Sequence, residues 1–140
     1  SLVDCFSRED LYTLGFNSAP TLKLNQFVVD KLIALSEEGH RIWVVTGSLE
    51  PFVEGVVDQL KWPIERVLGT SWEPEVIGTP GLKECLRHEK VKRIQSIVDC
   101  EPKKVVNAVA YGNLPDDGPM LSLAEKSFSV SNGKPNLLTH

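Results

Sequence analysis

Apolar side chains recur at helical spacing in several segments of the chain. In the clearest of these, Val28, Leu32 and Leu35 lie at i, i+4 and i+7, and charged residues fall largely outside that face. Such a pattern is typical of an amphipathic helix that packs one face against a core. Residues 5–24 lack a sustained period, and we expect a loop with a turn or a small hairpin there. Helices are predicted over about residues 25–38, 50–60, 89–98 and 119–125.

Short apolar runs rich in β-branched residues separate these helices. The longest extends from Val105 to Tyr111 and breaks at Gly112, as expected of a buried parallel strand. Strands and helices therefore alternate, which indicates parallel strands with right-handed crossovers and helices on both faces. We expect a single α/β domain over residues 1–140, a three-layer Rossmann-like arrangement around a mostly parallel central sheet. Strands are predicted near residues 2–3, 41–45, 67–68, 75–77, 105–111 and 128–130.

Composition restricts the functions that such a domain can have. Of its 140 residues, 41% are hydrophobic and 24% are charged, which is typical of a soluble globular protein. A net charge of -4 and a pI near 5.4 argue against binding to nucleic acid. The sequence shows no apolar stretch of about 18 residues and no signal peptide, so we expect no membrane association and a cytoplasmic protein. The cysteines, which form no CxxC pair and suit a reducing compartment, are Cys5, Cys85 and Cys100.

Polar residues follow the predicted strands at their carboxyl ends. Because these ends meet at one crevice in an open α/β sheet, the residues found there form a candidate site. Carboxylate and amide oxygens suit Mg²⁺, whereas a hydroxyl and backbone N–H groups at a helix N-terminus suit phosphoryl oxygens. A lysine at the start of the third predicted helix can neutralise developing negative charge. The candidate residues are Asp4, Thr46, Gly47, Ser48, Lys90, Asn113, Asp116 and Asp117.

Each candidate also has a purely structural interpretation. Asp4 can be an ordinary polar residue near the first residues of the chain, and residues 46–48 can be a turn with a helix N-cap. The acidic loop can be solvated, with Asp116 or Asp117 as the N-cap of the next helix. Lys90 can be one of several solvated helix lysines. The glycines form neither a GxGxxG motif nor a Walker loop, so the sequence gives little support to nucleotide binding.

Three blocks of sequence carry a family resemblance. The segment GHRIWVVTGSLEPFVEGVV contains a strand that ends on a hydroxyl residue, Thr46, and CLRHEKVKRIQSI contains Lys90. These blocks resemble the second and third motifs of the haloacid dehalogenase superfamily, in particular its phosphoserine phosphatase-like branch. The register of the second block, CLRHEKVKRIQSI, places the motif lysine at Lys90 rather than at Lys83 or Lys92.

The third block, AYGNLPDDGPML, resembles the fourth motif of that superfamily. In this motif a glycine is followed by an acid or amide and then by an aspartate, here Gly112, Asn113 and Asp117. The later segment FSVSNGKPNLL resembles the last strand of the family, so the resemblance covers about residues 22–138. It implies a Mg²⁺-dependent phosphohydrolase that cleaves a phosphomonoester of a small-molecule or other phosphorylated substrate through an aspartyl-phosphate.

The resemblance also implies roles for the candidate residues. Thr46, Gly47 and Ser48 bind the phosphoryl group, and Lys90 neutralises its charge. The nucleophile is Asp4, which also binds the metal ion. The further metal ligands are Asp117, Asn113 and Asp116.

The first motif departs from the family pattern. The family has Asp-x-Asp-x-Thr after a strand, but Phe6 stands where the second aspartate, the general acid and base, is expected after Asp4. Loss of a positioned acid costs on the order of 10²–10⁴-fold in rate. The stretch after Asp4 is also too short for a large inserted cap, which implies a capless or minimally capped member. Such members often act on larger substrates or close their site by forming homo-oligomers.

Three alternatives to an active phosphohydrolase follow from this departure. The chain can be a catalytically inactive binding or regulatory domain of the same fold. It can also lack the segment that supplies the nucleophile, as a fragment or processed product. A dehalogenase is the third alternative, since dehalogenating members of the superfamily also lack the second acid. It is a weaker alternative because chloride release needs an enclosed pocket.

Overall fold

The computed structural model describes residues 7–72, 82–83, 88–98, 105–112, 114, 116–130 and 136–138. Within these ranges the helices are α1 (Arg8–Ser18), α2 (Gln26–Glu37), α3 (Glu50–Leu60), α4 (His88–Val98) and α5 (Gly118–Leu121). The strands are β1 (Trp43–Leu49), β2 (Arg66–Trp72), β3 (Leu82–Lys83), β4 (Val105–Gly112), β5 (Ala124–Ser129) and β6 (Asn136–Leu138). The chain divides into two compact units, residues 1–23 with 35–85 and residues 24–34 with 86–140.

A parallel strand pair forms the sheet of the first unit. Strand β1 runs parallel to β2, with Val45 opposite Leu68, and β3 is antiparallel to β2. Helix α3 connects β1 to β2, as a parallel pair requires, and packs against β2. Val56 and Val57 of this helix are buried, as is Leu68 of the strand. The carboxyl ends of β1 and β2 therefore lie at the same edge of this sheet.

Helix α1 occupies residues for which a loop or small hairpin was predicted, and that prediction is wrong for residues 8–18. The helix begins at a capping box, in which the Ser7 hydroxyl accepts from the Asp10 amide and the Asp10 carboxylate accepts from the Ser7 amide, each at 3.0 Å. Few of its residues are buried, and these include Leu11 and Gly15. Because α1 has no broad apolar stripe, its periodicity is too weak to reveal the helix.

Glycines allow α1 and α3 to pack closely. A Cβ atom at Gly15 would lie 1.9 Å from the carbonyl oxygen of Phe52, and one at Gly55 would lie 2.1 Å from that of Tyr12. Neither distance is compatible with a side chain, so the two helix backbones approach each other through these positions. Contact between α1 and α3 thus depends on the lack of side chains at two positions as well as on apolar burial.

Polar contacts surround this helix pair. The Arg8 guanidinium donates to Glu54 Oε1 at 2.9 Å. Burial raises the pKa of Glu54, and the nearby Arg8 charge acts in the opposite direction. The Tyr12 hydroxyl donates to the Asp58 carboxylate, and this hydrogen bond raises the pKa of Tyr12. These contacts join α1 to α3 on their solvent-facing side.

The second unit contains another parallel strand pair. Strand β4 runs parallel to β5, α5 lies in the connection between them, and β6 is antiparallel to β5. The Tyr111 and Phe128 rings stack across the pair, with centroids 4.9 Å apart and planes inclined by 10°. Burial raises the pKa of Tyr111. The buried residues of this unit include Met120, Leu121, Ala124 and Ser127.

The predicted helices over residues 25–38, 50–60 and 89–98 are confirmed as α2, α3 and α4. The helix predicted over residues 119–125 is wrong at its C-terminal end, because β5 already begins at Ala124. The Ser122 hydroxyl donates to the carbonyl oxygens of Gly118 and Pro119, at 2.9 and 3.1 Å, where α5 ends. The last parallel strand consequently starts four residues before the predicted residues 128–130.

The predicted α/β class is confirmed by the two parallel β–α–β connections. The antiparallel strands β3 and β6 were not predicted. The three-layer arrangement and the single domain stay predictions. The predicted strands near residues 2–3 and 75–77 and all three cysteines lie outside the described residues. Among the described helices, none has the length and hydropathy needed to cross a membrane.

Candidate active site

The segment Thr46–Ser48 lies near the carboxyl end of β1, where the strand leaves the regular ladder. Between Val45 and Leu49, β1 advances four residues while its partner β2 advances two, from Leu68 to Thr70. Thr46 Oγ1 accepts a hydrogen bond from the Ser48 amide at 3.0 Å. Such an irregularity is a common way to turn a segment of strand toward a site. The strand predicted to end at residue 45 thus continues irregularly to residue 49.

Helix α3 begins directly after this segment. Its N-cap is Leu49, which makes no side-chain capping bond, and Pro51 stands in the first turn. The alternative in which residues 46–48 themselves cap the helix is therefore wrong, because the cap lies one residue further on. The first N–H groups of a helix have no partner within the helix and carry partial positive charge, which favours an anion nearby.

Strand β2 contributes two hydrogen bonds to the same edge of the sheet. The hydroxyl of Thr70, a buried residue, donates to the Gly47 carbonyl oxygen at 2.8 Å. The Gly69 amide donates to Glu50 Oε1 at 3.1 Å, and the other carboxylate oxygen of Glu50 lies 3.8 Å from Arg8 Nη2. The Glu50 carboxylate, which a bound anion would repel, thus already binds an amide and lies near a cation.

Lys90 and Asp117 come together in the second unit. Lys90 is the third residue of α4, and its ammonium group donates to Asp117 Oδ1. The two side chains are only 9% and 14% exposed. Lys92, the competing lysine on the same helix, is 71% exposed and pairs with Glu89 at 3.2 Å. The interpretation of Lys90 as one more solvated lysine is therefore wrong.

The carboxylate of Asp117 lies against the backbone at the carboxyl end of β4. A Cβ atom at Gly112 would lie 2.7 Å from both Cβ and Oδ2 of Asp117. The glycine that ends β4 thus provides the space into which the Asp117 side chain fits. Asp117 is also the N-cap residue of α5, although its side chain makes no capping bond. The carboxylate instead faces Lys90 and Gly112.

The structure therefore forms two groups of candidate residues, one in each unit. Thr46, Gly47 and Ser48 form the first group, and Lys90 with Asp117 forms the second. Asp116, next to Asp117, is exposed. The remaining predicted residues, Asp4 and Asn113, lie outside the described residues.

Sequence reasoning missed Glu50 and Thr70. Thr70 follows the predicted strand at residues 67–68, so the rule that polar residues after strands form the site applied to it as well. Gly69 separates Thr70 from the predicted strand, whereas the observed strand β2 continues through Gly69 and Thr70 to Trp72. No sequence signal indicates that the Glu50 carboxylate binds the amide of a residue on the neighbouring strand.

The donor chemistry of the second group fits a Mg²⁺ ion in part. Asp117 and Asp116 supply carboxylate oxygens, which are the ligands that Mg²⁺ prefers. In the described ranges, no three His, Cys, Asp or Glu side chains come together in a group that could hold a metal ion. Any metal site here would therefore need further oxygen ligands, for which Asp4 and Asn113 were predicted.

Comparison with protein families adds an independent finding. The sequence model of the haloacid dehalogenase-like hydrolases matches residues 24–122, which is most of the chain. No curated protein and no solved structure matches the chain. The matched range contains Thr46, Lys90 and Asp117 and leaves out Asp4.

Proposed function

Because the chain belongs to the haloacid dehalogenase-like hydrolase family, we propose that it is a Mg²⁺-dependent phosphohydrolase acting on phosphomonoesters. The buried ion pair between Lys90 and Asp117 carries this proposal. A cation held in a largely buried position can neutralise the charge that develops on a phosphoryl group. Its carboxylate partner offers oxygen to a metal ion at the end of a parallel strand. The pair thus supplies a cation for the phosphoryl group and an oxygen ligand for the metal ion, two of the groups that phosphoryl transfer uses.

The segment at the end of β1 provides the proposed phosphoryl-binding group. The Thr46 hydroxyl and the Gly47 amide donate to phosphoryl oxygens, and Ser48 lies beside them. The uncapped N-terminus of α3 adds partial positive charge at this edge of the sheet. Phosphate monoesters carry negative charge, which suits the positive groups of this segment.

The proposed reaction proceeds in two steps. The Asp4 carboxylate attacks phosphorus and forms an aspartyl-phosphate while the bond from phosphorus to the ester oxygen breaks, and the leaving oxygen takes its proton from water. A water molecule then hydrolyses the aspartyl-phosphate, which releases inorganic phosphate and regenerates the Asp4 carboxylate. Asp117, with Asp4, Asn113 and Asp116, would hold Mg²⁺, which when bound supplies further positive charge to the phosphoryl oxygens. Lys90 stabilises the same charge from the protein side. We assign the chain to the phosphoserine phosphatase-like branch, as a capless or minimally capped member.

A catalytically inactive phosphate-binding domain is the second candidate function. Phe6, two residues after Asp4, favours it, because phenylalanine cannot protonate a leaving group. In that case the phosphoryl-binding segment and Lys90 would retain phosphate without turning over an ester.

Hydrolysis of p-nitrophenyl phosphate, with Mg²⁺ and with EDTA, tests the proposal. The aryl leaving group departs without protonation, so Phe6 does not prevent its release, whereas alkyl phosphates should react on the order of 10²–10⁴-fold more slowly. We expect Mg²⁺-dependent turnover that Asp4→Asn abolishes, and a loss on the order of 10²–10³-fold for Lys90→Met. Lys92→Met, an exposed lysine of the same helix, is the matched control and should leave turnover unchanged.

The outcomes separate the two candidates. Turnover that is independent of Mg²⁺ and equal in wild type and Asp117→Asn contradicts the phosphohydrolase proposal. A folded wild type that binds inorganic phosphate but hydrolyses neither ester supports the inactive domain instead. A folded wild type that neither binds phosphate nor hydrolyses an ester contradicts both.

A further inference from the structure

Two hydrogen bonds hold the peptide group between Gly47 and Ser48 at its opposite ends. Thr70 Oγ1 donates to the Gly47 carbonyl oxygen at 2.8 Å, and the Ser48 amide donates to Thr46 Oγ1 at 3.0 Å. A peptide group is planar and almost always trans, so its C=O and N–H point in opposite directions. The Thr70 hydroxyl therefore fixes the direction of the Ser48 N–H, and with it the position of the Thr46 hydroxyl oxygen.

The strand ladder cannot fix this peptide group by itself. The segment lies where β1 advances four residues against two of β2, so regular pairing is interrupted. The Thr70 hydroxyl, which donates to this peptide group instead, belongs to a residue that is only 5% exposed, so neighbouring atoms restrict its movement. A branched side chain in a strand also has few rotamers. A buried residue on the neighbouring strand thus sets the conformation of the peptide group between two exposed residues, Gly47 and Ser48.

We propose that Thr70 is a positioning residue for the phosphoryl-binding segment. Thr70 holds the Gly47–Ser48 peptide group so that the Ser48 amide donates to the Thr46 hydroxyl oxygen. Because that oxygen accepts from Ser48, the hydrogen of the Thr46 hydroxyl is directed to a phosphoryl oxygen. Thr70 itself touches no substrate. The inference rests on the proposed function, which gives Thr46 its contact with the phosphoryl group.

Two substitutions at Thr70 test this role in the full 140-residue chain. Thr70→Val removes the hydroxyl and keeps a β-branched side chain of similar shape, whereas Thr70→Ser keeps the hydroxyl. In p-nitrophenyl phosphate hydrolysis with Mg²⁺, we expect Thr70→Val to raise KM and the inhibition constant of inorganic phosphate about 3- to 10-fold. The value of kcat should change less, because the contact is present in both ground and transition states. In Thr70→Ser, both KM and the inhibition constant should stay near their wild-type values.

A second buried position controls for loss of stability. Val57 lies about two helical turns beyond the N-cap Leu49. Val57→Ala removes buried methyl groups there, so it should lower stability and leave both constants unchanged. Amide hydrogen exchange measured by NMR gives a readout without substrate. The Ser48 amide should exchange faster in Thr70→Val than in wild type, and at the wild-type rate in Thr70→Ser.

Each outcome supports or overturns the positioning role. A wild type that is inhibited by phosphate, with an unchanged inhibition constant in Thr70→Val, overturns the role of Thr70 and leaves the proposed function intact. The role is also overturned if Val57→Ala raises the constants as much as Thr70→Val does, since general destabilisation then explains the effect. A wild type that neither hydrolyses the ester nor binds phosphate overturns both the role and the proposed function.

Discussion

Replacing Lys90 by methionine removes the cation from its buried ion pair with Asp117. The side chains are 9% and 14% exposed, so the Asp117 charge would remain largely buried without this counter-charge. Breaking a buried ion pair by removing one partner costs about 3–5 kcal/mol. Because both side chains keep some exposure to water, we expect the lower end of that range for Lys90→Met, about 3 kcal/mol. Methionine is unbranched and flexible, so little of this loss comes from packing.

The double variant Lys90→Met/Asp117→Leu distinguishes buried charge from packing. Replacing both members of a buried pair by apolar side chains is often neutral or stabilising. We therefore expect the double variant to recover most of the stability that Lys90→Met loses, to within about 1 kcal/mol of wild type. The difference in the free energy of unfolding between the double variant and Lys90→Met measures how much of the single-variant loss is removed together with the Asp117 charge.

Urea unfolding in EDTA, followed by tryptophan fluorescence, measures these differences without a contribution from bound metal. The chain has three tryptophans to report on unfolding. Lys92→Met is the matched control, because this lysine is 71% exposed and its pair with Glu89 should contribute at most about 1 kcal/mol. A Lys90→Met variant no less stable than Lys92→Met would refute the reasoning, and so would a double variant as unstable as the single one.

Two further substitutions test other features of the structure. Gly112→Ala introduces a Cβ atom 2.7 Å from Oδ2 of Asp117, and we expect this overpacking to lower the free energy of unfolding by about 1–3 kcal/mol in the same urea assay. Glu65→Gln tests pH dependence, because the hydrogen bond from Arg41 holds the pKa of Glu65 below its ordinary value of 4.5. A lowered carboxyl pKa stabilises the folded state above the ordinary value, and this stability is lost as the pH falls through the folded-state pKa. The Tm difference between wild type and Glu65→Gln should thus be present at pH 7 and disappear in acid.

For each of these two predictions, one result would contradict the reasoning. Gly118→Ala is the control for Gly112→Ala, since among the described residues its added Cβ atom would meet only Leu114 Cδ2, at an ordinary contact distance of 3.7 Å. Equal losses in the two alanine variants would show that the approach of Asp117 is not responsible. For Glu65, a Tm difference of the same size at pH 3 and pH 7 would show that its ionisation does not stabilise the fold.

The elements that sequence predicted well are those that bury an apolar face. Helix α3 was predicted with its observed bounds, because its apolar residues, which include the buried Val56 and Val57, recur at helical spacing. Pro51 marks its first turn, and the helix packs on β2. Helix α1 was missed because it has no broad apolar stripe, and the two glycine positions at which it and α3 approach each other carry no hydrophobic signal. Its capping box, Ser7 to Asp10, was present in the sequence and is a local signal that does not depend on periodicity.

The residues of the candidate site were predicted unevenly for a related reason. Thr46 and Asp117 follow apolar runs, so their positions at strand ends could be inferred from the pattern. Lys90 has two neighbouring competitors, and only the family register separated them before the structure showed its burial. The proposed role of Thr70 could not be inferred from sequence, because it depends on which carbonyl oxygen of the neighbouring strand the Thr70 hydroxyl reaches.

The contact between Gly112 and the Asp117 side chain explains physically why a glycine stands five residues before the aspartate. Gly112 ends β4, and the chain returns at the start of α5, so that the Asp117 side chain lies over the glycine backbone. Any side chain at residue 112 would occupy the volume that the carboxylate fills. The glycine is therefore required by the position of the aspartate, and the ammonium group of Lys90 holds that carboxylate from the opposite element, α4. The family motif gives the first relation as a spacing along the chain, but only the tertiary structure shows the contact between Lys90 and Asp117.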